Sequence, residues 1–562
     1  RTVAEGTGDE LPETVLAILH ARLMRLAPDA RRVLRTASVF GDTFWEGGVR
    51  KLLGREGTQM KLADWLQIQV EAEIIELRKE SRIPGEVEYR FRHGLVREAA
   101  YGMLPDEERR LGHYLAGCFL EEAGEADPLV LAEHFHRSGD FARATVLYAR
   151  AAEKAYHDLD WEGVLKRVEK GLECGAEGET RGVLIEFQAL IGFWRNDLVN
   201  AYRLGTEAMS LLTVGKADWC RACIATLGAT TALGKLAQVA ELAMRFGTIV
   251  PAPEILGIYI TGTALFGTGL GFVGERELSN LFISQLKDCA GPIEASDPTA
   301  RAWLHYALGR CASALEPTPY SAVQHFRTSA AAFQLSGDRR MVVTAFGDLG
   351  LALARVGREA EAEVTLREVL PLATRLGEEI PIVWVKMYLA NVLSERSDAA
   401  SREEARQIAH SILKAIGEAS YYSGLAYCAL AAANRADGNL AQAEADARKA
   451  LGILRYVASQ APLAFSALSQ VQLAAGQIDE AAKTATEGME IVKGLGGTGG
   501  SEVPMRMTYI AALRAQNNLE AVEGEERELR RQIALRLQDF PDPTGRDSYL
   551  ARIQRPNATV HY

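Results

Sequence analysis

The sequence predicts an all-α chain: an N-terminal winged-helix domain with a small β-hairpin, followed by an α-solenoid of helical hairpins. Three observations carry that prediction. From Asn196 onward a turn phrase returns about every 40 residues. Each turn is followed by a helical stretch rich in alanine, as at Ala441, Ala443 and Ala445. Ahead of the repeats, helical periodicity gives way to two short extended runs around Ile83-Pro84-Gly85-Glu86, a turn sequence.

In chain order, the opening RTVAEGTGDE is polar and begins with arginine, so 1–10 reads as a linker cut in its middle and the chain as the C-terminal part of a longer protein. LPETVLAILHARLM then has helical spacing, with Pro12 suited to a first helical turn. APDA breaks the pattern before a second helix carrying Val33, Leu34 and Ala37. LADWLQIQVEAEII is amphipathic, with Leu62, Trp65, Leu66, Val70 and Ile74 on one face. As a recognition helix it would offer DNA Asp64, Glu71 and Glu73 against Lys61 alone, and phosphate contacts need cations. Residues 11–128 are assigned to this winged-helix domain and its connecting helices.

Residues 129–537 form the repeat region and 538–562 a C-terminal tail. The turns are centred on Gly139, Asn196, Gly234, Gly274, Pro317, Gly357, Asp398, Gly438, Gly476 and Asn518, with one more near Trp161. Glycine or asparagine tolerates the positive φ at which two antiparallel helices reverse. A lone hairpin cannot bury its apolar face, so neighbours stack into a superhelix with a concave surface. HRSGDFARATVLYARAAEKA and ANRADGNLAQAEADARKALGIL resemble tetratricopeptide repeats with longer helices and fewer bulky aromatics in the first helix.

Composition sets the outer limits. Of 562 residues, 48% are apolar and 24% charged, a globular balance, and the net charge of −11 argues against a nucleic-acid surface. Seven irregularly spaced cysteines favour reduced thiols and a cytoplasmic setting. The apolar run 255–273 is interrupted by glycines and followed by no second span, so no membrane partner is expected.

Motifs for chemistry are weak. Gly269-Leu-Gly271-Phe-Val-Gly274 matches a dinucleotide-binding pattern but ends a helix, where that pattern needs a preceding strand. Gly494-Leu-Gly496-Gly-Thr-Gly499 follows a helix and reads as a flexible inter-repeat loop. No G-x-x-x-x-G-K-[ST] loop occurs. Cys220 and Cys223 lack a second ligand pair for zinc and read as two small buried side chains. His134 and His136 point to different sides of a helix. No catalytic residues, metal ligands or cofactor are assigned, and the chain is not expected to be an enzyme.

The stretch EYRFRHGLVREAAYGML, 88–104, sets His93 between arginines at a strand–helix junction. With LPETVLAILHARLMRLAPDARRVLRTASVFG before it and DPLVLAEHFHRSGDFARA after it, it resembles the segment following the ATPase module in bacterial signal-transduction ATPases with numerous domains (STAND). The likeness is to members in which a serine/threonine kinase precedes the ATPase and helical repeats follow. It covers 11–174, with the rest alike through repeat architecture and the chain end FPDPTGRDSYLARIQRPNATV.

The resemblance implies that His93, opening the last helix of the winged-helix domain, touches the β-phosphate of ADP held by the upstream ATPase in cis. ATP or ADP with Mg is then the parent's cofactor, and assembly into a homo-oligomer its activated form. A protein or peptide on the concave surface, or a small-molecule inducer, would be the trigger. The best-known motif has aspartate after this histidine, whereas Gly94 stands here. Arg92 and Arg97 are weaker candidates. Two alternatives stay open: a surface histidine packed against Tyr101, and a freestanding repeat scaffold without nucleotide control.

Overall fold

The computed structural model describes residues 13–54, 61–158, 160–418, 420–496 and 499–554. The linker 1–10, Pro12 and the end of the tail lie outside them. The chain divides into two compact units, Arg1–Phe187 and Gln188–Tyr562.

In the first unit the expected hairpin is present, joined by a further strand. β1 (Thr43–Trp45), β2 (Ile75–Leu77) and β3 (Glu88–Phe91) form an antiparallel sheet in the order β1-β3-β2, with Phe44 opposite Tyr89 and Ile75 opposite Phe91. Helices Pro28–Ser38 and Leu62–Glu71 bury Val33, Leu34, Leu62 and Leu66 in one core with Phe44 and Phe91. The amphipathic helix is shorter than its periodicity implies. It ends at Glu71, because Glu73 takes φ 56° and turns the chain so that Ile75 enters β2. Helices Asp106–Glu122, Pro128–Ser138, Phe141–His157 and Trp161–Glu173 follow.

The second unit is an α-solenoid. Its hairpins run from Ala217–Ala232 with Leu236–Gly247 to Glu502–Ala515 with Leu519–Leu537, and helix Pro543–Ile553 comes last. The reversals lie where the glycines stand: Gly234, Gly274, Gly357, Gly438 and Gly476 all have positive φ, and Asn196 has φ 62°. In the last hairpin the left-handed residue is Asn517, not Asn518, which instead caps the following helix through the Ala521 N–H. The apolar run lies in helix Leu256–Val273, the first helix of a hairpin. With the preceding turn (Pro253–Val273) it is long and apolar enough to cross a membrane, but 56% of its most apolar window is buried within the fold.

A small residue seven positions before the turn lets the two helices of a hairpin touch. A Cβ on Gly267 would come 2.7 Å from Ile283 Cδ1, and one on Gly350 would come 2.6 Å from Leu366 Cγ. The equivalent place in the next hairpin holds Asn391, 3% exposed, with neither side-chain amide atom hydrogen-bonded.

The solenoid coils until segments far apart in sequence meet. Arg276 Nη1 donates to Leu495 O (3.2 Å) and Gly496 O (2.9 Å), 219 and 220 residues away. Asp539 Oδ2 accepts from the Tyr320 and Ser321 amides at 2.6 and 2.9 Å. Arg552, in the last helix, binds Glu359 Oε1 at 2.9 Å and Glu395 Oε2 at 2.8 Å. The loop carrying Leu495 and Gly496 is thus docked on an earlier hairpin, where the sequence suggested a flexible connection; residues 497–498 lie outside the described set.

Two substitutions test these turns and crossings by urea unfolding. Gly438→Ala should cost about 1–2 kcal/mol, the penalty of placing a Cβ in the left-handed region. Asn391→Ala should stabilise the chain, because a buried unmade hydrogen bond costs about 1–3 kcal/mol. A loss of stability in the second variant would show that Asn391 is satisfied there, for instance by buried water.

Candidate functional site

β3 runs straight into His93, which keeps extended geometry (φ −133°, ψ 126°) as the cap of helix Gly94–Gly102. Its side chain is exposed and makes no capping hydrogen bond, while the Val96 amide donates to the His93 carbonyl at 3.0 Å. The flanking arginines are engaged. Arg92 Nη1 meets Glu73 Oε1 at 3.0 Å, and Arg97 lies between Asp42 (3.7 Å) and Glu98. An imidazole N–H beside an uncapped helix start is a donor set suited to an anion. Asp42 is the opposing charge, its Oδ1 3.8 Å from a Cβ built on Gly94.

One reading of the sequence set His93 against Tyr101; in the structure the Tyr101 ring stands edge to face with His113, centroids 5.7 Å apart. The Tyr101 hydroxyl is hydrogen-bonded to His113 Nε2 at 2.8 Å, and His113 Nδ1 lies 3.0 Å from His134 Nδ1. Both imidazoles are buried. Burial first, then the charges of His134, Arg137 and Arg109, lowers His113 to about 3. Burial and Arg137 lower His134 to about 4, with Glu133 opposing. His136 turns the other way, to the Tyr148 hydroxyl at 3.0 Å. Cys220 and Cys223 are both fully buried in helix Ala217–Ala232, and burial pushes the Cys223 thiol well up.

In the second unit the structure brings together residues that sequence reasoning did not single out. Arg310, Asp348 and Tyr388 stand on the first helices of three successive hairpins, 38 and 40 residues apart. Asp348 Oδ1 accepts from Arg310 Nη1 (3.2 Å) and from the Tyr388 hydroxyl (2.8 Å). With Phe272, Tyr421 and Gln460 they line a cavity of about 30 Å³. The available signal was a charged or hydroxyl side chain recurring at the repeat period on otherwise apolar helices.

No family model matches the chain, and no curated protein matches it. Solved structures do resemble it. A Rap protein complexed with competence and sporulation factor is 13% identical, with a TM-score of 0.44, over 62% of this chain and 100% of that one. The Pyrococcus horikoshii STAND protein with a tetratricopeptide repeat sensor is 13% identical, with a TM-score of 0.28, over 91% of this chain and 65% of its own length. The Cut9–Hcn1 hetero-tetramer of the APC/C is 12% identical, with a TM-score of 0.33, over 81% of this chain and 98% of that one. Likeness at this level assigns no function.

The buried histidine pair gives a signed pH prediction. Below about pH 6.5 the unfolded chain takes up protons that these rings refuse in the fold, so stability falls as pH drops towards about 4. The slope is at most about 1.4 kcal/mol per pH unit for each histidine. Amide exchange across 106–138 should therefore be faster at pH 5 than at pH 7 after correction for intrinsic rates, and His113→Gln should flatten the difference. A pH-independent corrected rate would mean that the pair is protonated or open in the fold.

Proposed function

We propose that this chain is the sensor and relay half of a STAND-type signalling ATPase. The repeat solenoid takes a protein or ligand trigger. His93 holds the resting, ADP-bound arrangement of the parent, and its release permits nucleotide exchange and assembly, with an upstream kinase domain as one output. The observation that supports this is the presentation of His93: extended, exposed, and set on a helix start with no side-chain cap. An imidazole N–H and the first helix amides suit a phosphate oxygen. ADP, when bound, supplies the negative charge that makes this contact worth holding. Arg97 is itself engaged between Asp42 and Glu98.

Because the core of the first unit makes no use of His93, its removal should change switching and leave folding intact. In the intact parent, His93→Ala should speed ADP dissociation about tenfold, the value of one hydrogen bond to a charged group, and raise basal output. Unchanged ADP release and unchanged output would remove the switch and leave a repeat scaffold without nucleotide control.

A further inference from the structure

The segment 539–553 lies against much earlier hairpins as a bound peptide would. Asp539 Oδ2 accepts from the Tyr320 and Ser321 amides, in the first turn of helix Pro319–Ser336. That helix's own cap residue, Thr318, makes no side-chain capping bond, so its cap comes from 219 and 218 residues away. The Phe540 ring is 1% exposed, its centre 5.5 Å from that of Tyr320 and 5.3 Å from that of Tyr549. Arg552 bridges Glu359, which opens helix Glu359–Leu376, and Glu395, which ends helix Glu379–Ser394. A Cβ on Gly357 would collide with the Ser548 carbonyl, so this turn glycine also admits the segment.

The attachment is specific but shallow. Of the 11 residues of helix Pro543–Ile553, only Tyr549, Arg552 and Ile553 are buried. A cavity of about 40 Å³ lies against them, walled on its other sides by Ala352, Arg355 and Met507. Atoms facing such a void lose their packing partners. A buried ion pair adds little net stability, because its charges are taken out of water. When Arg552 leaves, water can reach both carboxylates, and Glu395 still acts on the charge of Arg435 in helix Tyr421–Ala436. A helix this short is marginal alone in water, so once off the groove it unwinds.

We propose that residues 539–553 are a detachable strap, an internal ligand of the repeat unit, and that the groove beneath takes an arginine-bearing peptide helix of a partner in its place. The proposal rests on the reading of this unit as the sensor, and it names the chemistry of the trigger. Two carboxylates on different helices suit the fork of a guanidinium, which a lysine ammonium lacks. An aromatic residue three positions before the arginine fills the place of Tyr549, and an acidic residue ahead of the helix takes over the cap from Asp539. The tether holds the strap at a roughly millimolar effective concentration, so a weak competitor leaves it in place.

Hydrogen exchange read by mass spectrometry on the full chain tests the strap without any substitution. Amides of 543–553 should exchange together, at least about tenfold faster than those of helix Glu359–Leu376. Arg552→Gln should speed the strap about a further tenfold, the value of hydrogen bonds to a charged group, and leave that helix unchanged. The Tyr320 and Ser321 amides should lose protection at the same time, because Asp539 leaves with the strap. A labelled peptide of sequence 538–554 should bind the Arg552→Gln chain by fluorescence anisotropy and restore that protection. The same peptide with glutamine or lysine in place of its arginine should bind at least about tenfold more weakly. Exchange of 543–553 in step with helix Glu359–Leu376, or an Arg552→Gln chain whose helices all speed up together, overturns the strap. A strap opened by Arg552→Gln with no peptide binding overturns the groove as a recognition site. His93→Ala reads the switch separately: peptide binding beside unchanged ADP release in the parent keeps this groove and removes the switch, and the opposite pair of results does the reverse.

Discussion

The repeat unit depends on how closely two helices can approach just before the chain reverses. Gly267 and Gly350 admit Ile283 and Leu366 into space a side chain would fill, and the left-handed Gly274 and Gly357 then close the turn seven residues later. These requirements reinforce each other. The close crossing fixes where the second helix must begin, and the left-handed residue is the short way to reach that place. Helices this close bury their alanines completely, as Ala362, Ala405, Ala443 and Ala481 show on successive second helices. The hairpin is therefore stiff, and the curvature of the solenoid follows from how stiff units stack.

Stacking brings distant segments into contact through polar groups as well as apolar ones. The tilted rings of Phe540 and Tyr320 lie 5.5 Å apart, but the neighbouring contacts are Asp539 on two backbone amides and Arg552 between Glu359 and Glu395. A buried ion pair adds little net stability over an apolar contact, whereas losing one partner is severe. Such pairs select register: the last helix docks where two carboxylates can flank one guanidinium and a ridge one residue out of step cannot.

What was legible in the sequence follows from which interactions are local. The turns at Gly139, Asn196, Gly234 and Gly438 were readable because a left-handed residue is a property of the residue itself. The hairpin around Pro84 was readable for the same reason. β1 was not, because three residues, Thr43–Trp45, carry no period, and only pairing with Arg90, Tyr89 and Glu88 makes them a strand. The end of helix Leu62–Glu71 was overrun because Ile74 and Ile75 continue the apolar spacing, while the turn at Glu73 depends on sheet pairing two residues later. Arg310, Asp348 and Tyr388 were missed because their meeting depends on stacking between hairpins, which no single repeat encodes.

The histidines show the same division between local and tertiary constraint, and it bears on the switch proposed for His93. His113 is locked to His134, and His305 to His325 with Nδ1 atoms 2.9 Å apart; burial lowers the pKa of all four. Each member of such a pair holds its partner's position, so changing one disturbs packing. His93 lies outside that economy. Its backbone joins β3 to a helix, and its side chain is exposed without a capping role. A contact made there with an anion is added to a finished fold and can be withdrawn without reopening it. A relay needs that separation: its energy goes into the equilibrium between two arrangements of intact units, and none of it into holding either unit together.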